Sequence, residues 1–275
     1  MLFRSNGTAL TDSAVVASKT ALVTDTTQEA TIYVFERNAT STANESLTVT
    51  TTGPVAVSDS NAARATTPYI TAKYTSAGAT TGSPIYVWAT GTAGKATVTV
   101  STASGLLIAT KTIYFYGAVT KLANDTADLA PSTIVRKGGK TLSGAWLIAA
   151  TDAAGMPVTG LTLSCVPADV TVIASCAFTD ELDGTYLMDL TSAVGSVSGK
   201  STTITARVVD PAVTTSTAYI SAPAVTVTTG STVDTVKIAT DKASYAAGEQ
   251  MIVTVTATED RKSTRLNSSH VKRSR

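Results

Sequence analysis

Several things are scarce in this 275-residue chain, and each scarcity removes a class of function. No stretch approaches the 18 or so consecutive apolar residues of a membrane-spanning helix; the positive mean hydropathy of +0.19 comes from Ala and Val spread evenly. Charged residues are only 15% and aromatics 5%. Lys, Glu, Leu and Gln, the usual helix formers, are few. Histidine occurs once, at 270, and cysteine twice, at 165 and 176. Two thiols alone cannot close a tetrahedral zinc site. What is abundant is Thr, Ser, Ala, Val and Gly. Thr and Val favour strands, because branching at Cβ restricts χ1 and suits a pleated surface.

The two ends differ from the rest. Residues 260–270 match one reading frame of a common sequencing adapter, and residues 1–5 resemble the same adapter read on the opposite strand. The native material is then expected to be roughly 6–259, an interior piece of a longer reading frame, with 260–275 a disordered artefact. The alternative is a short native N-terminus with a basic tail that binds an anionic polymer. The end segments hold seven of the 21 basic residues and one of the 20 acidic ones, which leaves 14 against 19 in the interior, a net of −5. That interior has no Lys/Arg cluster to displace counterions from phosphate, so no nucleic-acid partner is expected. His270 leaves with the tail, which excludes histidine-based triads, Cys-His pairs and histidine-ligated metals from the interior.

Alternation marks the strands. In Ala96-Thr-Val-Thr-Val-Ser101 the apolar residues fall at 96, 98 and 100, with hydroxyls between them. Successive side chains point to opposite faces, so one face is buried. Residues 251–257, 202–208 and 46–50 follow the same pattern. Residues 30–35, 84–88 and 112–116 are apolar or aromatic on both faces, as expected of central strands or of strands covered by a neighbouring domain. Thr52-Gly-Pro54, Thr81-Gly-Ser-Pro84, Ala153-Ala-Gly-Met-Pro157 and Leu182-Asp-Gly184 punctuate them with turn residues. Short strands with turn signals every 8–12 residues predict an all-β chain of antiparallel sandwiches.

At roughly 100 residues per sandwich the length predicts two domains and part of a third. The expected boundaries are an N-terminal segment at 1–19, a first sandwich at 20–118, a second at 119–227 and a truncated third from 228 to 259. Thr228-Thr-Gly-Ser-Thr232 reads as a short linker. An internal echo supports the division: Ala150-Thr-Asp152 and Ala257-Thr-Glu259 each follow a strand that follows a Gly-containing turn, 107 residues apart.

Four motifs carry a family resemblance. Thr240-Asp-Lys-Ala-Ser-Tyr-Ala-Ala-Gly-Glu249 with its following strand resembles the opening of bacterial immunoglobulin-like repeats. Ala150-Thr-Asp-Ala-Ala-Gly-Met-Pro-Val158 resembles the D-x-x-G-x-P-V turn of invasin-like repeats. Asp183-Gly-Thr-Tyr186 resembles the D-G-x-Y strand of such sandwiches, and Thr92-Ala-Gly-Lys-Ala-Thr-Val98 an A-G-x-A-x-V strand. They cover about a quarter of the residues, and the first domain lacks the D-x-x-G-x-P-V turn. The resemblance implies tandem immunoglobulin-like β-sandwiches, the last one truncated. Such repeats occur in surface adhesins, S-layer proteins, large secreted proteins and phage virion proteins.

Candidate chemistry is thin. Cys165 and Cys176 could form a disulfide between nearby strands of the second domain, closing a loop of about 12 residues, or remain two reduced, buried thiols. A lone pair within one domain favours an oxidising compartment. Asp180, Glu181 and Asp183 could gather oxygens for calcium at a sandwich edge; the plain alternative is a solvated turn. A glycosidase carboxylate pair could be drawn from Asp152 and Asp189, but no spacing selects it. Trp88, Trp146 and Tyr186 could stack on sugars, although aromatics on alternating strands are usually core. Asn38, Asn44 and Asn124 fit the N-glycosylation pattern, which is frequent by chance in a Ser/Thr-rich chain. The expectation is a non-enzymatic, cofactor-free spacer of an extracellular or cell-surface bacterial protein, an adhesin stalk or S-layer-like region. Its expected partners are neighbouring immunoglobulin-like domains, with lateral self-assembly or surface glycans as further candidates. The alternatives are a glycan- or host-binding module of a virion or fibre, or an accessory region of a secreted hydrolase.

Overall fold

The computed structural model describes residues 2–5, 15–19, 29–34, 46–58, 71–75, 83–127, 132–213, 218–231, 233–245 and 251–259. Among these residues every regular element is a strand. The first nine are β1 (Leu2–Ser5), β2 (Val15–Ser18), β3 (Ala30–Val34), β4 (Ser46–Thr52), β5 (Val55–Ser58), β6 (Thr71–Thr75), β7 (Ser83–Ala89), β8 (Gly94–Thr102) and β9 (Leu107–Tyr116). They form two sheets, ordered β1-β3-β7-β5 and β2-β9-β8-β4-β6. The next nine are β10 (Val119–Asp125), β11 (Ile134–Arg136), β12 (Thr141–Asp152), β13 (Ser164–Pro167), β14 (Ile173–Asp180), β15 (Thr185–Ser192), β16 (Ser201–Val209), β17 (Tyr219–Ser221) and β18 (Val225–Gly230). They form β10-β12-β15-β14 and β11-β18-β16-β13, with β17 also on β16.

The two units share one strand order. If the strands are lettered A, A′, B, C, D, E, F and G along the chain, A-B-E-D faces A′-G-F-C in each. This is the immunoglobulin sandwich order. Its signature parallel pairing of A′ with G occurs in both, as β2 with β9 and β11 with β18. The first unit adds β6 at the edge beside β4. In the second, G is split into β17 and β18 around Pro223, which has no N–H for the ladder.

Alternation places the cores. Ala96, Val98 and Val100 of β8 are buried, as are Leu47 and Val49 of β4, and all join one cluster with Ile32, Ile85, Val87, Ile113 and Phe115. A separate cluster gathers Trp146, Ile148, Ile173, Tyr186, Met188, Leu190, Ile204 and Val227. The strands apolar on both faces are central ones: β3 lies between β1 and β7, and β9 between β2 and β8.

Pairing extends past two of the expected boundaries. β1 pairs with β3 and β2 with β9, so strands ahead of residue 20 complete the first sandwich. Thr228 and Thr229 pair with Ile134 and Val135 as the end of β18, leaving only Ser231 and Thr232 as a connection. Gly, Ser and Thr read locally as linker; a partner strand some 90 residues earlier makes them ladder. The last two strands, β19 (Val233–Thr240) and β20 (Val253–Glu259), form a two-stranded sheet. Their face is open: Val236 and Ile238 are 58% and 67% exposed. Residues 260–275 lie outside the described residues.

Candidate functional site

The geometry that stands out is the joint between the sandwiches. β9 ends at Tyr116 and β10 begins at Val119, so only Gly117 and Ala118 connect them. Asp152, the last residue of β12, pairs with Val119 across the sheet. Its carboxylate takes three backbone amides: Oδ2 accepts from Gly117 at 2.8 Å, and Oδ1 from Ala154 and Met156, each at 2.8 Å. A carboxylate only 6% exposed needs such donors, because burying an unmatched charge is costly. One residue therefore shapes the turn after its own strand and also grips the incoming chain. A Cβ on Gly117 would lie 3.2 Å from Lys19 Cε and 3.5 Å from Asp152 Oδ2, so glycine lets both side chains close on the linker. Tyr116 packs against the second core and accepts a hydrogen bond from Thr159 Oγ1 at 3.3 Å.

Two motifs singled out in the sequence meet beside this joint. Gly155, the glycine of the D-x-x-G-x-P-V turn, has φ 75°, which suits glycine. Pro157 and Val158 then fold back over Gly184 of the D-G-x-Y strand. Gly184 has φ 93°, and a Cβ there would meet Pro157 Cα at 2.9 Å and Val158 N at 3.1 Å. The Tyr186 hydroxyl donates to the Val158 carbonyl at 2.9 Å and accepts from the Leu161 amide at 3.1 Å. Burial pushes its phenol up to about 12. The unfolded value is ~10. The buried neutral phenol thus contributes stability that is full below pH ~10 and is lost as pH climbs towards 12. Tyr186→Phe is expected to cost about 1–2 kcal/mol at neutral pH. It should also flatten the loss of stability between pH 10 and 12, relative to wild type, in alkaline denaturation followed by circular dichroism.

The predicted site residues sit as follows. Cys165 of β13 and Cys176 of β14 are joined, with Cα atoms 6.1 Å apart, across the open side between the two sheets of the second sandwich. Two acids of the 180–183 turn, Asp180 and Asp183, are committed to backbone amides. Asp180 accepts from Leu182 and Gly160, at 2.8 and 2.7 Å, and Asp183 from the amide and hydroxyl of Thr185. Glu181 is exposed, and among the described residues no group of three His, Cys, Asp or Glu is placed to hold a metal. Asp189 Oδ1 accepts from Gly144 at 2.7 Å, so it and Asp152 are each committed to backbone amides. Trp88, Trp146 and Tyr186 are 3%, 1% and 1% exposed and offer no face to a sugar. Asn124 donates to the Pro223 carbonyl at 2.9 Å; Asn38 and Asn44 lie outside the described residues. At the far end of the second sandwich a half-open hollow of about 250 Å³ is lined by Asp169, Thr171, Val172, Ser196 and Lys200, among others. Asp169 accepts from the Thr171 hydroxyl and amide, which holds its carboxyl below the usual range.

The reach of Asp152 to Gly117 was not anticipated. The turn motif named Asp152, but its partner lies 35 residues earlier. The available signal was a glycine closing an aromatic strand two residues before the next strand begins.

No protein-family model matches the chain, and no curated protein does. Solved structures that it resembles include invasin, described as a bacterial integrin-binding protein, at 15% identity and TM-score 0.31 over 84% of this chain and 46% of that one. InvD of Yersinia pseudotuberculosis gives 18% identity and TM-score 0.31, covering 84% of this chain and 63% of that one. Domains 4–9 of the surface layer protein SbsC give 15% and 0.28, covering 66% and 26%. The chain thus spans less than two thirds of each. These likenesses are loose, and the sandwich assignment stands on the strand order above.

Proposed function

We propose that this chain is a non-catalytic spacer, a serial stretch of immunoglobulin-like sandwiches from a cell-surface or secreted bacterial protein. One observation carries the reading: the same sandwich occurs twice, joined by two residues, one of them held through its amide by Asp152. A linker without slack passes orientation and load from one unit to the next. The outer surface suits the role. Hydroxyls on exposed faces pair with each other, as in Thr99 with Thr110, Thr141 with Thr191 and Ser201 with Thr228, so the sheets are polar with little charge. Such a surface favours lateral packing against like domains. The buried aromatics favour a spacer over a glycan-stacking module, and the Cys165–Cys176 bond favours an oxidising compartment.

Force spectroscopy on the whole chain tests this. Two discrete unfolding steps are expected. Each 100 residues released should add roughly 330–360 Å of extended chain. A single smooth extension would overturn the reading.

A further inference from the structure

Buried hydroxyls gather at the end of the second sandwich where the chain leaves it. Ser192, Ser196 and Thr229 are 1%, 8% and 1% exposed. Ser192 ends β15. Its hydroxyl donates to the Arg136 carbonyl at 2.7 Å and accepts from the Lys140 amide at 3.0 Å, which holds β11 and the turn after it. Ser196, in the loop 193–200, accepts from the Gly138 amide at 3.0 Å and donates to the Ala193 carbonyl at 2.6 Å. Thr229, on β18, donates its hydroxyl to the Val197 carbonyl at 2.6 Å. Its amide donates to the Lys200 carbonyl at 2.8 Å, and its carbonyl accepts from the Gly199 amide at 2.7 Å. The loop 193–200 is thereby fixed to strand A′ on one side and to strand G on the other. Buried hydroxyls with all their partners in place make a rigid network. The first sandwich joins the same two strands, E and F, through residues 90–93 only.

Tension along a spacer enters this unit at Val119 and leaves it at Gly230, the first residue of β10 and the last of β18. Between them β11 and β18 run parallel, Ile134 to Arg136 against Thr228 to Gly230. A pull drags β11 back towards the first sandwich and β18 outward. Their ladder is then sheared, and its bonds load together rather than one after another. Three residue pairs make a short ladder. A second path runs beside it, from β11 to Ser192, through the loop 193–200, and on to Thr229 and β18. We propose that Ser192, Ser196 and Thr229 form a load-bearing lock, which shares the tension that would otherwise slide A′ past G. Thr229 meets the pull early, because it lies next to the exit residue Gly230. The lock rests on the spacer reading and deepens it by naming the part of the second sandwich that resists the pull.

Constant-force spectroscopy on the full chain tests the lock. The disulfide identifies the second sandwich, because Cys165 and Cys176, 11 residues apart, keep the loop between them closed. Reductant should lengthen that unfolding step alone, by roughly 30–40 Å. Thr229→Val and Ser192→Ala should each shorten the lifetime of the marked step at fixed force by on the order of 10-fold, as expected for one net hydrogen bond. The step of the first sandwich is the internal control and should not change. Thr229→Ser keeps the hydroxyl and should keep the lifetime. Tyr186→Phe removes a buried bond to the Val158 carbonyl that touches neither A′ nor G. It should lower thermal stability and leave the lifetime as it was. Wild-type lifetimes in Thr229→Val and Ser192→Ala would overturn the lock. So would an equal shortening in Thr229→Ser or Tyr186→Phe, since that is a general loss of stability. Two discrete steps with unchanged lifetimes sink the lock and leave the spacer reading standing; a single smooth extension sinks both.

Discussion

Replacing Trp146 by alanine is expected to cost the second sandwich about 3–5 kcal/mol, while the first melts where it did before. Trp146 is 1% exposed and sits on β12, an inner strand between β10 and β15. A register shift between Leu142 and Trp146, centred on Gly144 with φ 63°, turns Ala145 and Trp146 both towards the core. The Asp189 carboxylate holds that bulge through the Gly144 amide, so the backbone cannot relax easily into the space an alanine would leave. Among the described residues nothing accepts from the buried indole N–H. Trp146→Phe should therefore cost much less than alanine, since it removes an unmatched donor with part of the ring. Calorimetry should show the second sandwich's transition falling by ~15 °C or more in Trp146→Ala. The first should stay, because the two buried clusters share no residue. If both transitions move together, the two cores do not fold independently.

Much of this fold could be read from period-2 alternation. Residues 96–100 and 202–208 show it, and the structure buries Ala96, Val98 and Val100, then Thr202, Ile204, Ala206 and Val208. Burial on one face is a local property of the strand, so the local sequence records it. The echo between Ala150-Thr-Asp152 and Ala257-Thr-Glu259 was legible too, and the shared register slip gives it a structural basis.

What escaped was pairing that depends on distant partners. Val15–Ser18 is too short and too plain to announce itself; it is a strand because it lies parallel to the end of β9. Thr228–Gly230 has the composition of a linker and becomes ladder only beside β11. The joint was invisible for the same reason. Nothing near Asp152 says that one of its oxygens is aimed at Gly117. Pro157 was legible as a turn residue, but its packing onto Gly184, which brings the D-x-x-G-x-P-V turn against the D-G-x-Y strand, was not. The acids at 180–183 show the limit of composition from the other side: clustered in sequence, Asp180 and Asp183 commit to separate backbone amides.

Removing the Cys165–Cys176 bond should lower the stability of the second sandwich by about 3 kcal/mol, and its melting temperature by roughly 10–20 °C. The bond closes a short loop, 11 residues in separation, between β13 and β14. Those strands are the outer edges of opposite sheets, and no backbone ladder joins them. Along that side the disulfide is the covalent tie, whereas strand pairing holds each sheet. Both cysteines pack partly buried against the core, so a Cys165→Ala/Cys176→Ala double variant tests the tie without adding a polar group there. Wild-type protein melted with and without reductant should reproduce the difference, and the first sandwich should ignore both treatments, since the chain's two cysteines lie in the second. A reduced protein that melts where the oxidised one does would reject the tie as a source of stability.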